Sequence, residues 1–184
     1  MDDAFVPLIL YACPIGPLEQ QIASYFERSQ VCYGPNKAHD YMPHCTLTGF
    51  FHDRAAAIPA YIQAIDGALG DLSPVGEADI SITALTFRPD WHGLELQSPW
   101  LRRLVARFAG LASSPTRRDA LRIKDWLHVS LAYGFDPAHG AGLRSLAEPM
   151  VDPKAPCRWN LRLYQRHPTW VCHQSWSVGP ALPP

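Results

Sequence analysis

Two segments of the chain, YMPHCTLTGFF (41–51) and DWLHVSLAYGF (125–135), carry the same order of polar and apolar side chains. In each, a histidine is followed at +2 by a hydroxyl residue, at +3 by leucine and at +7 by phenylalanine. The two histidines, His44 and His128, lie 84 positions apart. Both segments read as strands with one apolar side to pack under helices. On the other side, alternation aligns His44, Thr46 and Thr48 in the first strand. In the second it aligns His128, Ser130 and Ala132, opposite Val129, Leu131 and Tyr133. The halves are not a close repeat, but a strand pattern used twice points to an internal duplication.

The rest of the chain fits that plan. FVPLILYA (5–12) reads as a buried strand. PLEQQIASYFERSQ (17–30) reads as a helix opened by proline, and RAAAIPAYIQAIDGALG (54–70) as a second helix interrupted near Pro59. ADISITALTF and GLELQS form a strand pair around an RPDWHG turn. PWLRRLVARFAGLA is a helix, DPAHGAGLRSLAEPM a weaker one, and RWNLRLYQ with TWVCHQSWSV a closing hairpin about RHP. Each half therefore holds strands, helices and one histidine strand. The division falls near residues 71–77, giving lobes of about 1–75 and 76–184 within a single domain, with room for strands exchanged between them.

Composition narrows the function classes. Hydrophobic residues make up 47% of 184 and charged residues 18%, enough for a substantial core; 18 prolines and 12 glycines favour a strand-rich α+β protein over a helical bundle. The net charge is −1, and the basic clusters LRRLVAR and TRRDALRIK have apolar or acidic neighbours. That argues against a grip on long duplexes and leaves room for a nucleotide or a short RNA end. Five cysteines without a CxxC pair suggest a reduced, cytoplasmic protein, and their spacing does not suggest a metal site. The start lacks a basic, apolar leader, and no apolar run approaches a membrane span, so no membrane partner is expected. A monomer is the default at this size.

Paired imidazoles beside hydroxyls suit phosphoryl chemistry that needs no metal or cofactor. One imidazole accepts a proton from the attacking oxygen and the other donates one to the leaving oxygen, while the hydroxyls donate to non-bridging phosphate oxygens. The bare His-x-Ser/Thr pattern is weak, since His167 and His173 also meet it. Only His44 and His128 add the leucine and phenylalanine and fall in separate halves.

HCTL and HVSL resemble the paired H-x-[ST]-hydrophobic motifs of the 2H phosphoesterase superfamily. YACPIGPLEQQIASYF, AHDYMPHCTLTGFF and LHVSLAYGF are further similar to the 2H phosphodiesterase domain of the ubiquitin-associated, SH3-containing proteins. The resemblance implies a bilobal fold with antiparallel sheets around a central cleft. It also implies metal-independent attack on phosphodiesters, typically 2′,3′-cyclic phosphates of nucleotides or RNA ends. Carried over, His44 and His128 are the acid–base pair and Thr46 and Ser130 the phosphate-binding pair. Which histidine is the base stays open; the resemblance leans toward a 3′-phosphate product. The sequence holds no ubiquitin-binding, SH3 or phosphatase region, so that family's signalling role is not expected here. Alternatives are another linkage, such as a 2′,5′-oligonucleotide or an ADP-ribose cyclic phosphate, and a nucleotide-binding module without turnover.

Tyr11, Tyr41 and Tyr133 are candidates for substrate contact, although alternation assigns Tyr133 to the apolar side. Tyr33, Lys37, His39 and Tyr41 precede the first motif and suggest either a lid or a solvated loop. The six tryptophans read as core, with Trp91, in the RPDWHG turn, the one expected to be exposed.

Overall fold

The computed structural model describes residues 4–72 and 79–179, so most of the expected lobe division at 71–77 lies outside the described residues. The chain runs β1 (Phe5–Ile15), α1 (Pro17–Tyr33), a 3₁₀ turn (Lys37–Asp40), β2 (Cys45–Thr46) and β3 (Phe51–Arg54). It continues with α2 (Ile58–Asp71), β4 (Ser81–Phe87), β5 (Trp91–Gln97) and α3 (Pro99–Leu111). β6 (His128–Tyr133), α4 (Gly140–Met150), β7 (Arg158–Arg166) and β8 (Trp170–Val178) complete it. The described residues form an α+β fold with four α-helices on an antiparallel sheet of eight strands. The sheet order is β4-β5-β6-β2-β1-β7-β8, with β3 also paired to β1.

Proline and short polar side chains set several boundaries. Pro59 does not interrupt α2 but occupies its first turn, where a missing N–H costs nothing. Pro99 does the same in α3, and Ser98 caps that helix by accepting from the Leu101 N–H at 3.0 Å. The strand expected over 43–51 is broken: β2 is two residues long, and Thr48 is buried with its Oγ1 accepting from the Leu10 N–H at 3.1 Å. The Thr48 hydroxyl thus fills a place in the backbone ladder and faces away from the cleft, contrary to simple alternation.

The four helices cover one face of the sheet and share one apolar core with it. Leu8, Leu10 and Ala12 of β1 enter that core, as do Val129 and Leu131 of β6, Leu161 and Leu163 of β7, and the inner faces of all four helices. α1 packs against α4 and α2 against α3, one helix from each half in both pairs. The C-terminal hairpin β7–β8 does not join β4–β6 but extends the sheet from β1. The opposite face of the central strands is lined by Ile9, Tyr11 and Cys13 and backed by Tyr41, Met42, Phe50 and Trp170. There the functional residues collect.

Candidate active site

β2 meets β6 through a single antiparallel pair, Cys45 opposite Val129, both fully buried. Extending that register by one residue sets His44 opposite Ser130 and Thr46 opposite His128, all on the face away from the helices. A local two-fold axis through the Cys45–Val129 pair thus relates the two motifs. The two imidazoles occupy diagonal positions, whose Cα atoms in such a pair stand about 7–8 Å apart. All four side chains line one cavity of about 470 Å³, within the roughly 300–1,000 Å³ of small-molecule sites.

The symmetry extends to what holds each ring. The carbonyl two residues earlier can only accept, so each Nδ1–H donates: His44 to the Met42 oxygen at 2.7 Å, His128 to the Trp126 oxygen at 3.2 Å. This fixes the neutral tautomer and leaves each Nε2 for a substrate. Each ring also lies on an aromatic one, His44 on Tyr11 with centroids 4.0 Å apart, His128 stacked on Trp126 at 3.9 Å. Burial among these rings pushes the His44 pKa down to about 4, against the Met42 hydrogen bond, with nearby His128 lowering it further. His128 is also lowered, first by burial and, after the Trp126 bond that opposes it, by the Lys124 and Arg88 charges.

Ser130 has a partner that Thr46 lacks. The Trp91 indole N–H donates to its Oγ at 2.9 Å, leaving the serine hydroxyl proton to turn into the cavity. Trp91 is not exposed in a turn; it is the first residue of β5, buried, with its ring edge-on to His128. Gly93 makes this possible: a Cβ there would collide with the Trp91 ring and the Val129 carbonyl oxygen. Trp126, expected in the core, is 41% exposed at the cavity wall.

Of the three tyrosines read as substrate contacts, all line the cavity. Tyr11 is fully buried against His44, and desolvation holds its phenol protonated far above the ordinary range. Tyr41 accepts from Arg166 at 2.9 Å and is braced by Trp170, whose indole donates to the Asp40 carbonyl at 3.2 Å. Tyr133 faces the cavity rather than the apolar side. Between β5 and β6 the register shifts, so that His92 pairs with Ala132 but Gly93 with Ser130. Leu131 is the extra residue; Leu131 and Ala132 both turn to the core, and Tyr133 returns to the cleft face. Ala132 therefore does not share a face with His128 and Ser130.

The segment before the first motif is mostly a strut. His39 Nδ1 accepts from the Asn36 N–H at 3.1 Å while its other nitrogen meets Ser29 Oγ at 3.0 Å, and Tyr33 lies against His139 and Gly142. Only Tyr41 of that group reaches the cavity.

Sequence reasoning missed Arg122 and Lys124, the two cationic groups of the cavity wall. The signal was there: residues 122, 124, 126, 128 and 130 keep the strand period of two, and all five line the cavity. Among the described residues the lining holds no carboxylate and no cysteine, so the two imidazoles have none of the further ligands a metal site needs there. Among the described residues no group of three or more His, Cys, Asp and Glu could hold a metal ion, and no helix is long and apolar enough to cross a membrane.

Fold and motif arrangement together define a class: the chain has the 2H phosphoesterase fold and carries paired histidine motifs of the form that superfamily uses. It is 30% identical over 173 residues to ubiquitin-associated and SH3 domain-containing protein B of Mus musculus, and 33% over 201 residues to an ecdysteroid-phosphate phosphatase of Drosophila melanogaster. The alignments cover 92% and 90% of this chain but 27% of each relative's length, so the chain spans about a quarter of the relatives it matches. Escherichia coli LigT, solved in complex with ATP, has the same fold, with a TM-score of 0.51, 12% identity, and coverage of 96% of this chain and 100% of that one. No family model matches the chain.

Proposed function

We propose that the protein is a metal-independent phosphodiesterase that opens 2′,3′-cyclic phosphates of nucleotides or RNA ends, with His44 and His128 as its acid–base pair. One observation carries this reading. Two imidazoles, each with Nδ1–H tied to a backbone carbonyl and Nε2 free, face one cavity across a local two-fold axis, with a hydroxyl beside each. In-line displacement at phosphorus needs a proton acceptor on the side of attack and a donor on the side of departure. Diagonal placement across a strand pair offers that geometry, and Thr46 and Ser130 donate to the non-bridging oxygens between.

The difference in burial between the two rings supports one division of roles. His44, the more deeply buried, stays neutral and accepts the proton of the attacking water at Nε2. His128, at the more open wall, carries the proton that passes to the ribose oxygen as its bond to phosphorus breaks. One water is consumed, one P–O bond forms and one breaks, and the proton gained by His44 returns to His128 through solvent. If the 2′ oxygen leaves, as the family resemblance favours, the product is a 3′-phosphate. Five unpaired cysteines fit a reducing, cytoplasmic setting.

The test is incubation of the four nucleoside 2′,3′-cyclic monophosphates with the protein in EDTA, with the product isomer identified by chromatography. Turnover that survives chelation and yields one isomer is expected. Loss of turnover with EDTA and its return with a divalent ion would overturn the metal-independent mechanism. Turnover of a 2′,5′-linked dinucleotide alone would move the reading to that linkage.

A further inference from the structure

The cavity carries more positive charge than one cyclic phosphodiester requires. That group has a single negative charge, and Thr46 and Ser130 already face it. Yet Arg122 and Lys124 also line the wall, and among the described residues no acidic side chain lines it and neither cation forms an ion pair. Arg88, by contrast, is neutralised by Glu95 at 2.8 Å and spread over the Trp126 ring.

Backbone pairing fixes where the two cations stand. Gly49 N–H donates to the Arg122 carbonyl at 2.8 Å, Lys124 N–H donates to the Leu47 carbonyl at 3.0 Å, and Thr48 bridges Ile123. Segment 122–124 thus runs antiparallel to 47–49, directly beyond the first motif. Cys45 pairs with Val129 but Thr48 with Ile123, so three extra residues on the second strand bulge out between the two pairings. Lys124 therefore lies opposite Leu47, one residue past Thr46, close enough to lower the pKa of His128. At about 3.3 Å per residue, the position opposite Arg122 is about 10 Å beyond Thr46. A seat is also kept open for the Arg122 guanidinium: a Cβ on Gly49 would stand 3.2 Å from its Nε and 3.2 Å from one terminal nitrogen.

We infer that Arg122 and Lys124 form a second anion subsite that takes the next phosphate of the substrate, one nucleoside away from the reacting one. This rests on the cyclic-phosphate reading and narrows its substrate class to nucleotides bearing a further phosphate, either a 5′-monoester or the adjoining diester of an oligonucleotide. A fork of guanidinium donors suits either phosphate, and the lysine adds charge without directional demand.

The experiment compares three cyclic-phosphate substrates: a nucleoside 2′,3′-cyclic phosphate, its 5′-phosphorylated form, and a dinucleotide ending in the same cyclic phosphate. The added phosphate should raise kcat/KM by about tenfold, the factor corresponding to about 1.4 kcal/mol, and the gain should shrink with added salt. In Arg122→Gln/Lys124→Gln the ratio should fall toward one. Gly49→Ala, which keeps both charges but fills the guanidinium's seat, should lower it in part. A gain with the 5′-monoester alone identifies a nucleotide substrate, and a gain with the dinucleotide identifies an RNA end. An equal kcat/KM for all three, or a ratio unmoved by the double substitution, overturns the subsite. Calorimetric binding of a nucleoside 3′-phosphate against the 3′,5′-bisphosphate separates the two proposals. If no cyclic phosphate is turned over, the catalytic reading fails. Tighter bisphosphate binding, lost in the double variant, then still establishes the subsite, and equal binding removes it.

Discussion

Acidification should destabilise the protein through His44, by an amount the cavity sets. Its imidazole is enclosed by Tyr11 at 4.0 Å and Tyr41 at 5.3 Å, and its pKa falls from 6.5 to about 4. The folded state therefore holds His44 neutral where the unfolded chain has already taken up a proton, so stability decreases as pH drops from about 6.5 toward 4. Between about pH 7 and pH 5 the integrated difference is about 2 kcal/mol, reduced toward about 1 kcal/mol for the solvent that reaches the cavity. His39, His92, His128 and His173 are lowered as well and add their own slopes. The quantity to read is thus the difference between wild type and His44→Asn, whose amide nitrogen stands where Nδ1 does and keeps a donor for the Met42 carbonyl but does not titrate. Urea denaturation of both proteins at the two pH values, in buffers free of phosphate, gives it directly. The variant should lose about 1–2 kcal/mol less than wild type on acidification. An identical loss in both would refute the argument that burial of His44 controls its protonation.

Two further outcomes follow from the β5–β6 packing. Gly93→Ala should cost about 3 kcal/mol, read as a lower urea midpoint at unchanged slope, because the new methyl meets both the Trp91 ring and a strand carbonyl. Trp91→Phe keeps an aromatic ring over Gly93 but removes the donor to Ser130. It should reduce kcat on a cyclic phosphate by up to about tenfold with KM little changed, whereas a change confined to KM would assign Trp91 to substrate binding instead.

The parts of the fold that depend on local chemistry were legible in the sequence. A continuous aliphatic run gave β1, alternation gave β6, Pro17 and Pro99 marked the starts of α1 and α3, and the repeated histidine pattern led to the four side chains that share the cavity. What was hidden depends on register and long-range pairing. Tyr133 turned out to face the cavity because Leu131 is an extra residue between two pairings, and a one-residue slip reverses every side chain beyond it. Arg122 and Lys124 were obscured because residues 125–127 interrupt the pairing, and in the sequence they stand only as the end of the basic cluster TRRDALRIK. Trp91 looked like a turn residue because β5 begins earlier than the RPDWHG pattern suggests. Nothing local in RWNLRLYQ indicates that the last hairpin pairs with β1, more than 140 residues earlier in the chain.

The most direct test of the two-histidine account is steady-state hydrolysis of a nucleoside 2′,3′-cyclic phosphate by His44→Ala, His128→Ala and the double variant. Each single substitution should lower kcat by about 10²–10⁴, and the double variant should be little worse than the poorer single one, because the pair acts as a unit on one phosphate. Near-wild-type turnover by either single variant, or losses that simply multiply in the double, would contradict it.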